Sequence, residues 1–317
     1  MRRLKNEVMT EGDAMKIFIT GGTGFVGSRL TKALAGRGHQ VTVLDRTIKS
    51  QKDFPSAVSF IEGDSTKPGA WQESAARHEI FINLAGASIF SRWNKATKRT
   101  LRESRILTTD RLVEAMSWNK NDRLRLFSAS AVGYYGFHED EALTEEAPSG
   151  RDFLAGVAAD WEAAAFKASA FNAKVVVCRF GIVLGRQGGA LQQMLPVFRS
   201  YIGSPLGGGR QWFSWIHEQD LVDIFLFLLD HQEVEGAVNC TAPQPVRNVE
   251  MTKALGKVLG VPTLPLHVPG FMMKLILGEF GDVLLKGQRA IPRRLEHLKF
   301  AFTFPTIHAA LEDLVKK

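Results

Sequence analysis

Residues 15–45, MKIFITGGTGFVGSRLTKALAGRGHQVTVLD, decide the fold of this chain. The apolar run at 15–20 predicts a strand, and a glycine-rich turn follows it. Residues 24–37 carry the apolar spacing of a helix, and residues 40–44 predict a second strand. Together they form one βαβ unit, the building block of a parallel sheet.

The turn in this unit contains Gly21, Gly24 and Gly27. Glycines at this spacing allow a tight turn, close approach of the backbone to a pyrophosphate, and close packing of the helix on the strand. The start of the helix then faces the phosphates. The predicted cofactor contacts of the turn are Gly21, Thr23, Gly24, Phe25, Val26 and Gly27. A purely structural turn is the alternative.

The end of the second predicted strand carries Asp45 and Arg46 side by side. An Asp at this distance from the glycines binds the ribose hydroxyls of NAD, whereas an Arg pairs with the 2′-phosphate of NADP. One of the two side chains is alternatively a solvated strand end. The residues alone leave the choice between the two cofactors open.

Strand and helix patterns continue to alternate up to about residue 180, which predicts an α/β fold with a Rossmann-like, doubly wound parallel sheet. Asp64 follows the third strand and is predicted to meet the adenine. The fourth strand ends in NLAG, which places Leu84, Ala85 and Gly86 at the cofactor crevice. Ordinary turn chemistry at strand ends is the alternative for each.

Composition narrows the class of protein. The chain has 317 residues, a formal net charge of +7 and a pI near 9.4. Its basic residues are dispersed and form no nucleic-acid-binding module, so an anionic cofactor or substrate accounts for them. No apolar run approaches the roughly 20 residues of a membrane span, and the histidines lack metal-binding spacing. Two cysteines in apolar surroundings indicate buried thiols and a cytoplasmic protein.

The predicted organisation is a short extension followed by two interleaved lobes. Residues 1–14 are charged without an apolar stretch and are expected to be disordered. The NAD(P)-binding domain takes residues 15–180, and the chain returns to it at about 216–241. The substrate lobe takes 181–215 and 242–317, including a C-terminal helical domain at about 265–315.

Several stretches together resemble an extended short-chain dehydrogenase/reductase: ITGGTGFVG, NLAG, SASAVGYYG and SWIHEQDLVDI. The stretches NLAGASIFSRWNKATKRTLRESRI, SGRDFLAGVAADWEAAA and VPGFMMKLILGEFGDVLLKGQRAIPRRL are similar to its atypical, epimerase-like branch, whose members end in a small C-terminal domain of unknown function. The resemblance covers about residues 15–314. It implies a nucleotide-dependent epimerase or oxidoreductase without a defined substrate.

The chain departs from the superfamily at the usual catalytic pair. Ordinary members carry a Tyr and a Lys eight and four positions before a Glu. Counted back from Glu162, those positions are Leu154 and Ala158. Neither can transfer a proton, so the acid of the usual mechanism is missing.

The resemblance places Ser130 at the third active-site hydroxyl of the superfamily, where it is expected to hydrogen-bond a substrate oxygen and also to contact the cofactor. Tyr134 and Tyr135 follow it, and Tyr134 is a candidate acid; a capping serine and core tyrosines are the alternatives. His217 is a further candidate because it titrates near neutrality, although a His before a helix is commonly a cap. The predicted substrate contacts are Arg179, Arg210 and Trp212.

The leading hypothesis is an oxidoreductase that uses NADP(H), with NAD(H) as the alternative cofactor. Its expected substrate is a small molecule with a carbonyl or hydroxyl group, and the basic residues are compatible with an anionic one. NADP(H) is favoured because members of the resembling family usually present an Arg at the position of Arg46. Asp45 argues against this choice. A non-catalytic NAD(P)-binding sensor or scaffold is the second hypothesis, and a nucleotide-sugar epimerase is the third. The oligomeric state stays open.

Overall fold

A computed structural model of the chain describes residues 14–121 and 123–316. A seven-stranded sheet forms its centre, and every neighbouring pair of strands in it runs parallel. The prediction of a Rossmann-like, doubly wound α/β fold is confirmed. Of the predicted extension, residues 1–13 lie outside the described residues.

The strands alternate with helices along most of the chain. The strands are β1 (Lys16–Thr20), β2 (Gln40–Asp45), β3 (Val58–Glu62), β4 (Ile80–Asn83), β5 (Arg125–Ala131), β6 (Ala142–Leu143), β7 (Lys174–Phe180), β8 (Ile182–Leu184), β9 (Trp212–Phe213), β10 (Trp215–His217), β11 (Gly236–Cys240), β12 (Val246–Arg247) and β13 (Arg289–Ala290). The order across the central sheet is β11-β7-β5-β4-β1-β2-β3. The chain reverses its direction of travel across the sheet between β1 and β4, where sheets of this type bind ligands beyond the carboxyl ends of the strands.

Helices cover both faces of the sheet. They are α1 (Phe25–Gly36), α2 (Trp71–Ala75), α3 (Lys95–Ser117), α4 (Phe153–Phe166), α5 (Gly189–Arg199), α6 (Glu218–Asp230), α7 (Asn248–Leu259), α8 (Gly270–Leu277), α9 (Phe280–Leu285), α10 (Arg293–His297) and α11 (Ile307–Lys316). Single 3-10 turns lie at Ile48–Asp53, Val132–Tyr135 and Lys167–Phe171. None of the helices in the described ranges has the length and apolar character needed to cross a bilayer. The predicted cytoplasmic location stays a prediction.

The alternation of β1 shows why the sheet is covered on both faces. Ile17 and Ile19 pack in the core under α1 and α6, whereas Phe18 packs in the opposite core under α2 and α3. All three side chains are fully buried. Neighbouring residues of a strand point to opposite faces, so an unbroken apolar run requires cover on both.

The C-terminal part of the chain has a core of its own, built from α5, α7 and α11. Asp220, at the start of α6, connects this part to the sheet. Its buried carboxylate accepts hydrogen bonds from the backbone amides of Thr303 at 2.8 Å and Phe304 at 3.0 Å. The predicted boundaries of the two lobes stay predictions.

Candidate cofactor crevice and buried polar network

The glycine turn between β1 and α1 is tightly packed at two glycines and less tightly packed at the third, which is exposed. A Cβ atom at Gly21 would lie 2.7 Å from the backbone nitrogen of Ala85, and one at Gly27 would lie 2.0 Å from the carbonyl oxygen of Gly21. At Gly24, which is exposed, the nearest atom would be the Gly21 oxygen at 3.2 Å. The fold therefore requires glycine at 21 and 27, while Gly24 leaves space beside the turn for a ligand.

The N-terminus of α1 borders this space. Gly24 caps the helix without a side-chain hydrogen bond, and the first turn holds no acidic residue. Backbone amides in the first turn of a helix, here from Phe25 onward, have no acceptor within the helix. Together with the positive end of the helix dipole, they suit a phosphate group. Thr23 and Val26, which are also predicted to contact the cofactor, flank Gly24 and Phe25 in the sequence and are half-buried.

The ring of Phe25 is enclosed by a second glycine loop, residues 185–189, between β8 and α5. A Cβ atom at either Gly185 or Gly188 would lie 2.3 Å from that ring. This loop therefore closes on the cofactor turn from a distant part of the chain. No contact between this loop and Phe25 was predicted, although the glycine-rich stretch GRQGG is typical of a close approach of backbone.

The predicted ribose and adenine contacts lie at the ends of β2 and β3. Asp45 is half-buried and Arg46 is exposed. The Asp64 carboxylate accepts hydrogen bonds from the Thr66 hydroxyl at 2.7 Å and the Thr66 amide at 3.0 Å. These bonds, the hydroxyl first, lower the pKa of Asp64. Asp64 therefore orders the turn after β3, while Arg46 has a free approach to solvent.

The end of β4 forms the opposite wall of the crevice. Asn83 is buried between the hydroxyl of Thr20, which donates to it at 2.7 Å, and that of Thr109, which accepts from it at 2.8 Å. The predicted cofactor contacts Leu84, Ala85 and Gly86 come next, and the backbone of Leu84 and Ala85 meets Gly21 directly. The structure thus brings the two glycine-containing turns together at the β1–β4 reversal.

Arg105 of α3 places a desolvated positive charge at this wall. Its guanidinium donates to the carbonyl oxygens of Leu101 at 2.9 Å and Ala87 at 3.1 Å, and its Cζ lies 3.2 Å from where a Cβ of Gly86 would be. Burial lowers the pKa of Arg105 to about 10. No carboxylate in the described ranges forms an ion pair with it. Sequence reasoning missed Arg105 because one Arg in a basic helix gives no signal.

Ser130 belongs to a buried polar network between β5, α4 and β7. Its hydroxyl donates to Oε1 of Glu162 at 2.7 Å. Arg179 holds the same carboxylate with two bonds, Nε to Oε1 and Nη2 to Oε2, both 2.8 Å long. All three side chains are 5% exposed or less. The guanidinium of Arg179 is therefore engaged by protein groups. Glu162 belongs to this network, although in the sequence it served only as the position from which Leu154 and Ala158 were counted.

The two tyrosines after β5 pack around Arg179. Its Cζ lies 3.6 Å from the ring centre of Tyr134. The Tyr135 hydroxyl accepts from Arg179 at 2.9 Å and donates to Asn239 at 2.7 Å. Burial raises the pKa of Tyr135 to about 12. Tyr135 is thus a core residue, and the catalytic role of Tyr134 stays a prediction.

An apolar cluster occupies the place of the usual catalytic pair. Leu154 packs with Trp93, Phe153 and Phe280. The ring of Trp93 lies 5.6 Å from that of Phe153 and 5.4 Å from that of Phe280. Ala158 is buried one turn further along α4. Neither position offers a proton donor.

His217 caps α6 and faces the C-terminal segment. Its Nδ1 accepts from the amide of Gln219 at 3.0 Å, and its ring stacks on Phe304 at 3.8 Å. Burial lowers the pKa of His217 to about 4, although Asp313 at 3.6 Å opposes this shift. The geometry matches the capping alternative, and catalysis by His217 stays a prediction.

The predicted substrate contacts do not form one cluster. Trp212 donates to Asp140 at 3.1 Å, and the guanidinium carbon of Arg247 lies 3.8 Å from its ring centre. Arg210 is exposed nearby, with its carbonyl oxygen accepting from Arg247. Arg179 lies in the buried network and shares no described partner with Trp212. All three roles stay predictions.

The sequence matches the profile of the NAD dependent epimerase/dehydratase family over residues 17–241. The chain belongs to the NAD dependent epimerase/dehydratase family. Residues 268–314 of this family member match a second profile, a domain of unknown function called DUF1731. The resemblance inferred from the sequence, including the C-terminal domain, is confirmed.

Relatives of this epimerase-family chain extend over nearly its full length. It is 40% identical over 311 residues to the chloroplastic epimerase family protein SDR39U1 homolog of Arabidopsis thaliana, covering 95% of this chain and 87% of the relative. An epimerase family protein of Staphylococcus haemolyticus is 38% identical over 303 residues, with 95% and 99% covered. The crystal structure of human epimerase family protein SDR39U1 with NADPH superimposes with a TM-score of 0.83 at 32% identity, covering 96% and 100% of the two chains.

Proposed function

We propose that this chain is an NADP(H)-dependent oxidoreductase that transfers hydride between the nicotinamide and the carbon of a carbonyl or hydroxyl group of a small molecule. The accompanying proton is exchanged with water, because Leu154 and Ala158 cannot transfer it. The observation that carries the proposal is the exposed Gly24 at the N-terminus of α1, in a glycine turn that packs directly against the backbone of residues 84–85. The cation of Arg105 beside the wall at residues 84–86 suits an anionic group of the cofactor or substrate. These features fit a dinucleotide.

The choice of NADP(H) rests on two supports. Arg46 is exposed at the end of β2, where a guanidinium can pair with a 2′-phosphate. The human relative was crystallised with NADPH. Asp45 instead favours NAD(H), because an Asp at this position can bind the ribose hydroxyls.

Ser130 orients the substrate oxygen in this proposal. Its proton is donated to Glu162, so the oxygen can act toward a substrate only as an acceptor, from a substrate hydroxyl. Ser130 is 2% exposed, so this role requires neighbouring groups to move aside when substrate binds. Glu162 is held in turn by Arg179, which fixes the direction of the serine hydroxyl. This arrangement favours a hydroxyl-bearing ligand at Ser130 over a bare carbonyl.

Two other functions rank lower for stated reasons. An NAD(P)-binding sensor or scaffold is supported by Leu154 and Ala158, because neither side chain transfers protons. A nucleotide-sugar epimerase of the ordinary kind is disfavoured by the same two residues, and Leu154 additionally lines an apolar cluster.

The test is a titration with the nucleotides followed by nicotinamide absorbance, with NADPH or NADH against a panel of carbonyl compounds and NADP⁺ or NAD⁺ against a panel of hydroxyl compounds. Gly24→Ala is the site variant, since its Cβ would meet one backbone atom, the Gly21 oxygen at 3.2 Å, and would crowd the turn proposed to hold the pyrophosphate. Gly36→Ala is the matched control at the other end of α1, where a Cβ would meet nothing within 4 Å. Loss of nucleotide binding in Gly24→Ala alone supports the site, and equal binding in both variants refutes it.

Turnover separates the enzyme from the sensor. Substrate-dependent oxidation of NADPH by a carbonyl compound, or reduction of NADP⁺ by a hydroxyl compound, that falls in Ser130→Ala supports the oxidoreductase. A nucleotide-dependent change in a partner interaction, without turnover on the panel, favours the sensor. Conversion of UDP-, GDP- or dTDP-sugars would favour the epimerase.

A further inference from the structure

A groove between α5 and α11 contains none of the predicted cofactor contacts and no member of the Ser130 network. Its volume is about 410 Å³, which falls in the range of small-molecule sites. Its walls include two arginines and four apolar residues: Arg186, Leu195, Pro196, Arg199, Leu314 and Val315. We call this cavity the arginine groove.

The apolar wall of the arginine groove lies at the edge of the C-terminal core. Leu195 and Val315 are half-buried and pack against that core, while Leu314 belongs to it and is 3% exposed. Pro196 of α5 is exposed beside them. An alkyl tail that lies on this wall would leave water, and each buried methylene strengthens binding about fourfold.

The two arginines give the groove a positive charge. Arg199 is exposed in the last turn of α5 and forms no ion pair within residues 14–121 and 123–316. The side chain of Arg186 is 37% exposed, and its Nη2 donates to the carbonyl oxygen of Asp313 at 2.7 Å. The Asp313 carboxylate lies 3.9 Å from the same Nη2 atom and balances part of that charge. The Arg199 guanidinium is therefore the main uncompensated charge that a ligand meets.

We propose that the arginine groove binds a small-molecule monocarboxylate with an unbranched alkyl tail, such as a fatty acid of medium length. The tail lies on the apolar wall. The carboxylate accepts hydrogen bonds from Arg199, with Arg186 beside it, because the planar guanidinium matches a carboxylate in shape and charge. A phosphate group carries up to two negative charges at neutral pH, more than one uncompensated guanidinium balances. The monocarboxylate is therefore the better match.

The arginine groove is connected to the cofactor turn through Arg186. The loop that contains Arg186, residues 185–189, encloses the ring of Phe25. The Arg186 amide donates to Oε1 of Glu218 at 3.3 Å, and the same oxygen lies 2.8 Å from Nη2 of Arg29 on α1. Glu218 is 4% exposed, so the carboxylate that joins the loop to α1 is shielded from water.

A carboxylate that holds Arg186 in place also holds the loop against Phe25 and α1. Since α1 begins at the proposed pyrophosphate site, the bound carboxylate strengthens NADPH binding, and NADPH strengthens carboxylate binding by the same factor. This coupling rests on the proposed function, whereas carboxylate binding in the groove does not.

The first experiment is isothermal titration calorimetry of the full chain with decanoate, without nucleotide. We expect a dissociation constant of about 1 mM or lower. Hexanoate has four methylenes fewer and should bind at least tenfold more weakly. Arg199→Ala should also weaken decanoate binding at least tenfold, because hydrogen bonds between charged groups are lost.

The matched control is Arg77→Ala, because Arg77 is an exposed arginine just after α2, outside the residues that line the groove. Its affinity for decanoate should equal that of the native chain, and melting temperatures verify that both variants fold. Equal decanoate binding by Arg199→Ala and the native chain refutes the site. Acetate that binds as tightly as decanoate refutes the role of the apolar wall.

Two further ligands test the chemical class. Decyl phosphate that binds more tightly than decanoate would contradict the choice of a monocarboxylate. Binding of the native chain to vesicles of anionic phospholipid, lost in Arg199→Ala, would assign the groove to a lipid headgroup in a membrane rather than to a free carboxylate.

The second experiment measures NADPH affinity with and without saturating decanoate. We expect the dissociation constant of NADPH to fall at least fivefold in its presence, and to stay constant in Arg199→Ala at the same decanoate concentration. Equal NADPH affinity in both conditions would contradict the coupling. A chain that never binds NADPH would refute the proposed cofactor site and the coupling with it, while the decanoate titration decides the groove separately.

Discussion

Ser130 and Glu162 meet inside the fold, where the serine hydroxyl donates to the carboxylate at 2.7 Å. Because β5 carries the serine and α4 carries the glutamate, the bond links a strand of the sheet to the helix that covers it. Arg179 of β7 holds the other side of the carboxylate. A residue proposed to touch substrate is therefore positioned by a buried ion pair.

Breaking this ion pair should destabilise the chain strongly. Glu162→Ala leaves the buried guanidinium of Arg179 uncompensated, so we expect a loss of about 3–5 kcal/mol in the free energy of unfolding. Asp160→Asn is the matched control on the same helix, because Asp160 pairs with Arg102 at the surface and should contribute less than about 1 kcal/mol. Urea denaturation of both variants measures the difference, and similar losses would contradict the structural role of Glu162.

Gly27 should tolerate no side chain even in the absence of cofactor. The Cβ of Gly27→Ala would lie 2.0 Å from a backbone oxygen, so the turn or α1 has to shift. We expect a loss of about 3 kcal/mol or more in the free energy of unfolding. Gly24→Ala should lower the free energy of unfolding by less than half of that amount. Thermal and urea unfolding of the two variants decide the point, and equal stability would show that the turn is looser than the contact implies.

Arg105 should matter for nucleotide binding as well as for folding. Arg105→Met removes a desolvated charge but also its hydrogen bonds to the carbonyl oxygens of Leu101 and Ala87, so we expect a loss of about 1–3 kcal/mol in the free energy of unfolding. We expect NADPH affinity to fall at least tenfold if the charge serves the bound anion. Arg102→Met, three residues earlier on α3 and exposed, should leave affinity unchanged. Fluorescence titration with NADPH measures both, and unchanged affinity in Arg105→Met would exclude this role.

His217 should make stability fall in mild acid. Burial lowers its folded-state pKa to about 4, below its ordinary value of 6.5. Between these values the unfolded chain binds the proton and the folded chain does not, so the contribution of His217 to stability is present above pH 6.5 and is lost as the pH falls to about 4. His217→Gln should flatten the pH dependence of the free energy of unfolding in that window. If the free energy of unfolding of His217→Gln falls with pH as steeply as that of the native chain, other groups cause the loss of stability in acid.

The opening βαβ stretch and the alternation of strand and helix patterns after it determined the fold class and the position of the glycine turn. Local spacing is sufficient for this, because strand and helix periodicity, glycine placement and strand ends are properties of neighbouring residues. The absence of the usual Tyr and Lys is also a local property, because counting back from Glu162 is enough to find Leu154 and Ala158 at those positions.

Only the tertiary structure decided which side chains meet. Glu162 and Arg179 are 17 positions apart. Phe25 contacts the loop at 185–189, which comes after six of the seven strands of the central sheet. Burial and ion pairing depend on such distant contacts, and a single sequence carries no record of them. For this reason Arg179 was predicted to hold substrate, whereas in the fold its guanidinium is engaged by Glu162 and Tyr135, and Arg105 gave no signal until the fold placed it beside the crevice.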